Sequence, residues 1–189
     1  MRNERLRWLL LSAIFAALTA VLSQLAVPLP LIPVPFTGQT LAVGLAATIL
    51  GSRYGTLALI IYVLLGAVGL PVFAEASGGL QVLVGKTGGF IFGFIATAFV
   101  TGLYLEKLGF TLKHAVVANV IGMFVTLVFG CVQLKFVLDI PWDKAIAFGA
   151  TPFLVVGVIK AVLAALIGIK VRERLIAFRL LRTEQPVTR

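Results

Sequence analysis

Trp8-Leu-Leu-Leu-Ser-Ala-Ile-Phe-Ala-Ala-Leu-Thr-Ala-Val-Leu-Ser-Gln-Leu-Ala-Val27 runs for twenty residues without a charge. A helix rises ~1.5 Å per residue, so ~20 such residues match the ~30 Å hydrocarbon core of a bilayer. The charge-free interval continues as far as Ser52. Across all 189 residues, 60% are apolar and only 12% are charged, against ~25% charged in ordinary soluble domains. A globule of this composition could not solvate its own surface. The reading is therefore an all-α polytopic membrane protein. The single cysteine, Cys131, rules out an internal disulfide and a cysteine-built metal site, and reads as a small packing residue.

Working outward from that first span, six transmembrane helices emerge at residues 8–27, 39–50, 55–71, 88–105, 115–134 and 149–169, within one transmembrane domain, 1–189. The second is short and passes into the third through Gly51-Ser-Arg-Tyr-Gly55, which predicts a tight helical hairpin. The basic start Met1-Arg-Asn-Glu-Arg-Leu-Arg7 imitates a secretory signal. Cleavable apolar cores run ~7–15 residues, so the longer run here is read as a retained first helix.

The net charge of +9 does not point to nucleic acid, because of where the charges lie. With the N-terminus inside, the inner segments hold Arg2, Arg5, Arg7, Arg53, Lys107, Lys113, Lys170, Arg172, Arg174, Arg179, Arg182 and Arg189. The outer loops hold Lys86, Lys135 and Lys144. This bias places both termini in the cytoplasm of a multi-pass cell-membrane protein, with basic residues facing anionic lipid heads. The sixteenth basic residue, Lys160, falls inside the last span. An ionisable group there is costly and reads as functional by default; an ammonium facing an outer cavity would bind an anion such as a carboxylate. Snorkelling to the interface is the structural alternative.

The outer loops carry the remaining chemistry. Prolines at 28, 30, 33 and 35 forbid helix and favour a stiff extended segment, either a lid over a pocket or a re-entrant connector. Residues 72–87 are Gly-rich and bring Glu75 and Lys86, and residues 135–148 bring Asp139, Trp142, Asp143 and Lys144. Gly79-Leu-Gln-Val-Leu-Val-Gly85-Lys86-Thr87 imitates a phosphate loop, but a P-loop needs four residues between its glycines and this has five bulky ones. One histidine, His114, and one cysteine leave no familiar triad or zinc site, so neither an enzyme nor an ATPase is expected. In the first span Ala13 with Ala17, and Ala16 with Ala20, are small pairs at i, i+4 that mark a helix-contact face; Gly89 with Gly93 makes a similar one.

Several stretches in this order resemble the BioY family, the biotin-specific S components of energy-coupling factor (ECF) vitamin transporters. They are Ala13-Ile-Phe-Ala-Ala-Leu-Thr-Ala20, Pro35-Phe-Thr-Gly-Gln-Thr-Leu-Ala-Val43, Gly66-Ala-Val-Gly-Leu-Pro-Val-Phe-Ala74, Gly78-Gly79, Gly85-Lys-Thr-Gly-Gly-Phe90 with Gly93-Phe94, and Pro152-Phe-Leu with Ile159-Lys-Ala161. The resemblance implies an S-component-like bundle with an outward-facing substrate pocket capped by the first outer loop. It implies that Lys160, Glu75, Gln39, Lys86, Phe36, Thr37 and Phe90 meet biotin. It also implies that Ala13, Ala16, Ala17 and Ala20 dock on a transmembrane coupling subunit driven by two ATP-binding subunits, with no cofactor in this chain.

Two positions depart from the family pattern. Gly157 stands where an acid is expected, and Lys86 stands where proline is common. Glu75 is expected to replace that acid as the acceptor of a ureido N–H. The departure also admits a different vitamin-like small carboxylate. A non-transporting helix-bundle membrane subunit is the further alternative. For biotin, with about 16 heavy atoms, nanomolar binding is ~−0.75 kcal/mol per atom, within the ceiling for small ligands.

Overall fold

The computed structural model describes residues 2–28, 30, 32–178, 180 and 181. Its helices are α1 (Arg2–Ser23), α2 (Gln39–Ala67), α3 (Leu80–Val84), α4 (Gly88–Leu108), α5 (Leu112–Leu138), α6 (Trp142–Gly149) and α7 (Phe153–Ala177). Two short strands, β1 (Ala26–Val27) and β2 (Phe36–Thr37), pair antiparallel. Five of the helices, α1, α2, α4, α5 and α7, are long and apolar enough to cross a membrane.

The second of these is two helices joined at an elbow. Gln39 Nε2 donates to Tyr62 Oη at 2.6 Å, although residues 23 apart in a straight helix would lie ~35 Å from each other. The reversal sits at Gly51, whose φ of 78° and ψ of −172° are open only to glycine. Gly55 then lies against the backbone of Ala46 and Ala47. Two helix ends meet at this elbow with unpaired backbone groups, and distant side chains cap both. Arg172 Nη1 donates to the carbonyl of Ile49. The carboxylate of Glu106 accepts from Ser52 N and Ser52 Oγ, each at 2.6 Å. The predicted hairpin is thus present, and its two arms with α1, α4, α5 and α7 make six helical segments among the described residues.

The first arm, residues 39–50, is buried on all sides from 42 onward, as expected of a helix apolar all round. Gly44 meets Asn119 and Ala164, and Gly168 meets Thr48, so α5 and α7 close on the arm through small residues. The second arm carries α1: the rings of Trp8 and Tyr54 stack at 4.6 Å, and Ser12 Oγ donates to Tyr54 O at 3.1 Å. Helices α4 and α5 pack through Gly89 and Gly93, which lie against Phe129 and Thr126.

Helix ends differ from the expected spans for local reasons. The first span begins at Arg2 and stops at Ser23, because residues 26–27 are taken by β1. The last begins at Phe153, after the turn at 150–152, and extends to Ala177. Lys160 is therefore seven residues into α7, and Lys170, Arg172 and Arg174 are helical. Arg172, counted above with the inner loop charges, is instead buried, with its guanidinium 3.5 Å from the Phe110 ring centroid. Arg179, Arg182 and Arg189 lie outside the described residues. The outer segments contain two helices that the sequence reading treated as loop, α3 and α6. Asp143 in the first turn of α6, just after Pro141 at its N-cap, is a start signal that could have revealed the latter.

The alanine stripes of α1 separate. Ala16 is 1% exposed and packs in the core, Ala20 is half-buried against it, and Ala13 and Ala17 face outward. Ala16 is therefore packed against its own chain.

Candidate functional site

The proline-rich segment folds back as a hairpin, with Ala26 opposite Thr37 and Val27 opposite Phe36. Four prolines cannot supply a run of ladder donors, so pairing is confined to its ends and the residues between form a cover. Beneath it lies a cavity of about 430 Å³, within the usual range for small-molecule sites. Pro28, Ile32, Pro33, Val34 and Pro35 line its roof.

The walls come from four spans. The first arm gives Gln39, Thr40, Val43 and Gly44; α4 gives Phe90, Ile91, Phe94 and Thr97; α5 gives Asn119, Met123, Thr126 and Leu127; α7 gives Phe153, Val156, Gly157, Lys160 and Ala161. Glu75, Ser77, Lys86 and Thr87 from the connecting segments and Gln81 from α3 edge the mouth. Six of the seven residues expected to meet ligand, Lys160, Glu75, Gln39, Lys86, Thr37 and Phe90, line this one space. Phe36 does not. Its ring packs edge-on against Phe153 at 4.9 Å, so it supports the wall from behind.

Lys160 and Gln39 are each held by a partner fixed in the fold. Lys160 Nζ donates to Thr37 O at 2.7 Å, which uses one of its three N–H bonds. Gln39 Oε1 accepts from Thr37 Oγ1 at 2.7 Å while its Nε2 is on Tyr62. Gln39 is thus mainly a brace between the elbow's two arms and the roof.

The mouth loops are held just as firmly. Phe73 is fully buried in a notch opened by Gly66, and its ring meets Tyr62 edge-on at 5.5 Å. From the end of α1, Ser23 Oγ donates to Val72 O at 2.6 Å, Gln24 Nε2 donates to Phe73 O at 3.1 Å, and Gln24 Oε1 accepts from Ala76 N at 2.9 Å. This staple holds Glu75 in a left-handed conformation, φ 58°, exposed at the mouth. Gln133 Nε2 donates to Leu83 O and Gly85 O at 2.7 and 2.8 Å, which fixes the turn bearing Lys86.

The inner end of the cavity was not anticipated. Asn119, Thr97 and Thr126 are 5%, 6% and 4% exposed and line it. Isolated polar residues in long apolar runs are common helix-to-helix glue, and nothing in their spacing announced a shared floor. Met123 presses on the face of Gly157 where a side chain would begin.

The arrangement can enclose a small, largely apolar molecule with one anionic end. An ammonium at mid-height, aromatic and aliphatic walls and a polar floor provide for it. Among the described residues, no group of three or more His, Cys, Asp or Glu could hold a metal ion.

Comparison with known proteins agrees with this geometry. The solved S-component for biotin from an ECF-type ABC transporter superposes with a TM-score of 0.85 at 27% identity, covering 92% of this chain and 94% of that one. The biotin transporter BioY of Thermotoga maritima is 47% identical over 169 residues, 89% of this chain and 97% of its own. The biotin transporter BioY2 of Lactococcus lactis subsp. cremoris is 41% identical over 169 residues, 89% of this chain and 92% of its own. The BioY family model matches residues 1–177, and the chain belongs to the BioY family.

Proposed function

We propose that this chain is the biotin-capturing S component of an ECF-type transporter, a transport subunit and not an enzyme. The observation that carries the reading is Lys160, an ammonium placed inside a 430 Å³ apolar cavity and anchored to the roof through Thr37. A half-buried cation inside an apolar cavity, with two N–H bonds beyond the one given to Thr37, calls for an anionic partner. Biotin supplies one on a flexible chain, and its ring system suits walls built by Phe90, Phe94 and Phe153. Lys86 reinforces the attraction at the mouth, where Glu75 also stands.

The mouth faces outward and both termini face the cytoplasm, in keeping with the distribution of basic residues. Transport then requires partners that hydrolyse ATP. The outward face of Ala13 and Ala17 suits a transmembrane coupling subunit, which two ATP-binding subunits would drive.

Calorimetric titration of the purified, ligand-stripped protein with biotin tests the reading. Nanomolar one-to-one binding is expected. Absent or millimolar binding would retire biotin and leave a different small carboxylate as the substrate to seek.

A further inference from the structure

We infer that Ser23, Gln24 and Tyr62 are positioning residues of one latch, by which the end of α1 holds both covers of the cavity, the proline-rich roof and the 72–77 segment at the mouth. No described residue of α1 lines the cavity, yet the helix controls access to it. The latch rests on this cavity being the substrate site, whichever small carboxylate fills it.

The bonds of the latch can be followed proton by proton. Ser23 Oγ lies 2.6 Å from Val72 O and 2.6 Å from Ala20 O. A carbonyl has no proton to give, so the single proton of Ser23 serves these two. Tyr62, which hydrogen-bonds Ser23, must then be the donor to it. That leaves the Tyr62 oxygen to accept from Gln39 Nε2 at 2.6 Å, and Gln39 Oε1 to accept from the hydroxyl of Thr37 at 2.7 Å. Every donor therefore points the same way, from Thr37 in the roof through Gln39, Tyr62 and Ser23 to Val72 at the mouth. Ser23 and Tyr62 are fully buried and Gln39 is 5% exposed, so water does not compete and the aligned bonds polarise one another. Gln24 adds a parallel arm, its Nε2 reaching Ser23 Oγ at 2.7 Å and Phe73 O at 3.1 Å.

The latch can open without stranding a donor on α1. If α1 draws away from the 72–77 segment, Ser23 keeps the Ala20 carbonyl of its own helical turn. Gln24 Nε2 keeps the same carbonyl at 3.2 Å. Release therefore costs only the bonds between elements, since both side chains have a local acceptor in reserve. The roof feels the same movement through Tyr62. Withdrawing Ser23 takes the acceptor from the buried phenol proton. Its next acceptor is Gln39, whose amide must turn to offer Oε1 and so drops the hydroxyl of Thr37. One displacement at the end of α1 thus loosens the mouth directly and the roof by way of Tyr62 and Gln39.

Hydrogen exchange on the ligand-stripped, full-length protein in detergent tests the latch with Ser23→Ala, Tyr62→Phe and, from outside the chain of bonds, Gln133→Leu. Ser23→Ala is expected to speed exchange about five- to tenfold, the scale of one lost hydrogen bond, in residues 72–79 and also in the roof at 32–38. Tyr62→Phe should do the same, and Gln133→Leu should loosen residues 83–87 alone. Faster exchange confined to 72–79 in Ser23→Ala, or a roof loosened equally by Gln133→Leu, would overturn the latch. Stopped-flow mixing with biotin gives a second readout. A freed cover speeds entry as well as release, so both rates should rise in Ser23→Ala. Faster release with unchanged entry is the mark of a lost ligand contact and would also overturn the latch. If the unaltered protein does not bind biotin, the biotin reading falls and exchange alone decides the latch. Should Tyr62→Phe fail to fold, Ser23→Ala carries the exchange test.

Discussion

The ammonium of Lys160 and the carbonyl of Thr37 are joined at 2.7 Å across 123 positions of sequence. The bond ties α7 to the residue that closes the proline-rich hairpin. One side chain therefore lines the cavity and holds the roof.

Replacing Lys160 by methionine keeps the apolar stem and removes the charge. Loss of a charge-assisted hydrogen bond costs ~2 kcal/mol, so biotin affinity is expected to fall about 30-fold. Because the roof is released as well, dissociation should accelerate. Titration calorimetry and stopped-flow release would read the two effects, and unchanged values in both would refute the role.

The brace between Gln39 and Tyr62 predicts a coupled loss of stability. Gln39→Leu takes from a buried phenol one of its two side-chain partners, leaving Ser23, and Tyr62→Phe strands the amide nitrogen of Gln39, each at about 1–3 kcal/mol. The double substitution removes both polar groups, so its cost should be less than the sum of the two. Thermal melting of the four proteins in detergent checks this; strict additivity would mean that the two groups do not interact.

Gly51 and Gly109 both have positive φ, 78° and 97°, but only the first is crowded. A β-carbon at Gly109 meets nothing within 4 Å, while at Gly51 it strikes Glu106. Gly109→Ala is expected to cost about 1–3 kcal/mol through backbone strain alone. Gly51→Ala should cost more, since it also displaces the cap on Ser52. Melting temperatures and folded yield would rank the two; the reverse order would mean that the elbow tolerates a side chain.

Neighbouring alanines on α1 should behave oppositely. Ala16→Leu overfills a packed core and is expected to destabilise by about 1–3 kcal/mol. Ala17→Leu adds bulk on the outward face, leaving melting and biotin binding near their original values while weakening assembly with the coupling subunit. Co-purification measured alongside melting separates them, and unimpaired assembly of Ala17→Leu would clear this face of docking.

Much of this architecture was legible because it rests on strong local rules. A glycine between two apolar runs announced the reversal at 51, and four prolines announced a segment that could not be helix. Lys160 stood out because charge is rare in a span. The floor was silent for the opposite reason. Asn119, Thr97 and Thr126 are ordinary residues for a membrane helix, and they come to one cavity only once α4 and α5 meet. Spacing also could not choose between the two alanine stripes of α1, which lie about 60° apart on a helix turning ~100° per residue. Only packing against the second arm decided that Ala16 turns inward. Phe36 was placed one layer too far forward because adjacency to Thr37 in sequence says nothing about which side of a two-residue strand faces the cavity.

The elbow at Gly51 also explains why there is a cavity at all. Twelve residues, 39–50, rise ~18 Å, whereas the hydrocarbon core is ~30 Å deep. The central helix of the bundle therefore stops ~12 Å short of crossing, with Gln39 as its last rung. The proline hairpin seals the top of the missing length, and the substrate site fills the rest. The volume in which the ligand sits is the volume of two helical turns that the chain does not make.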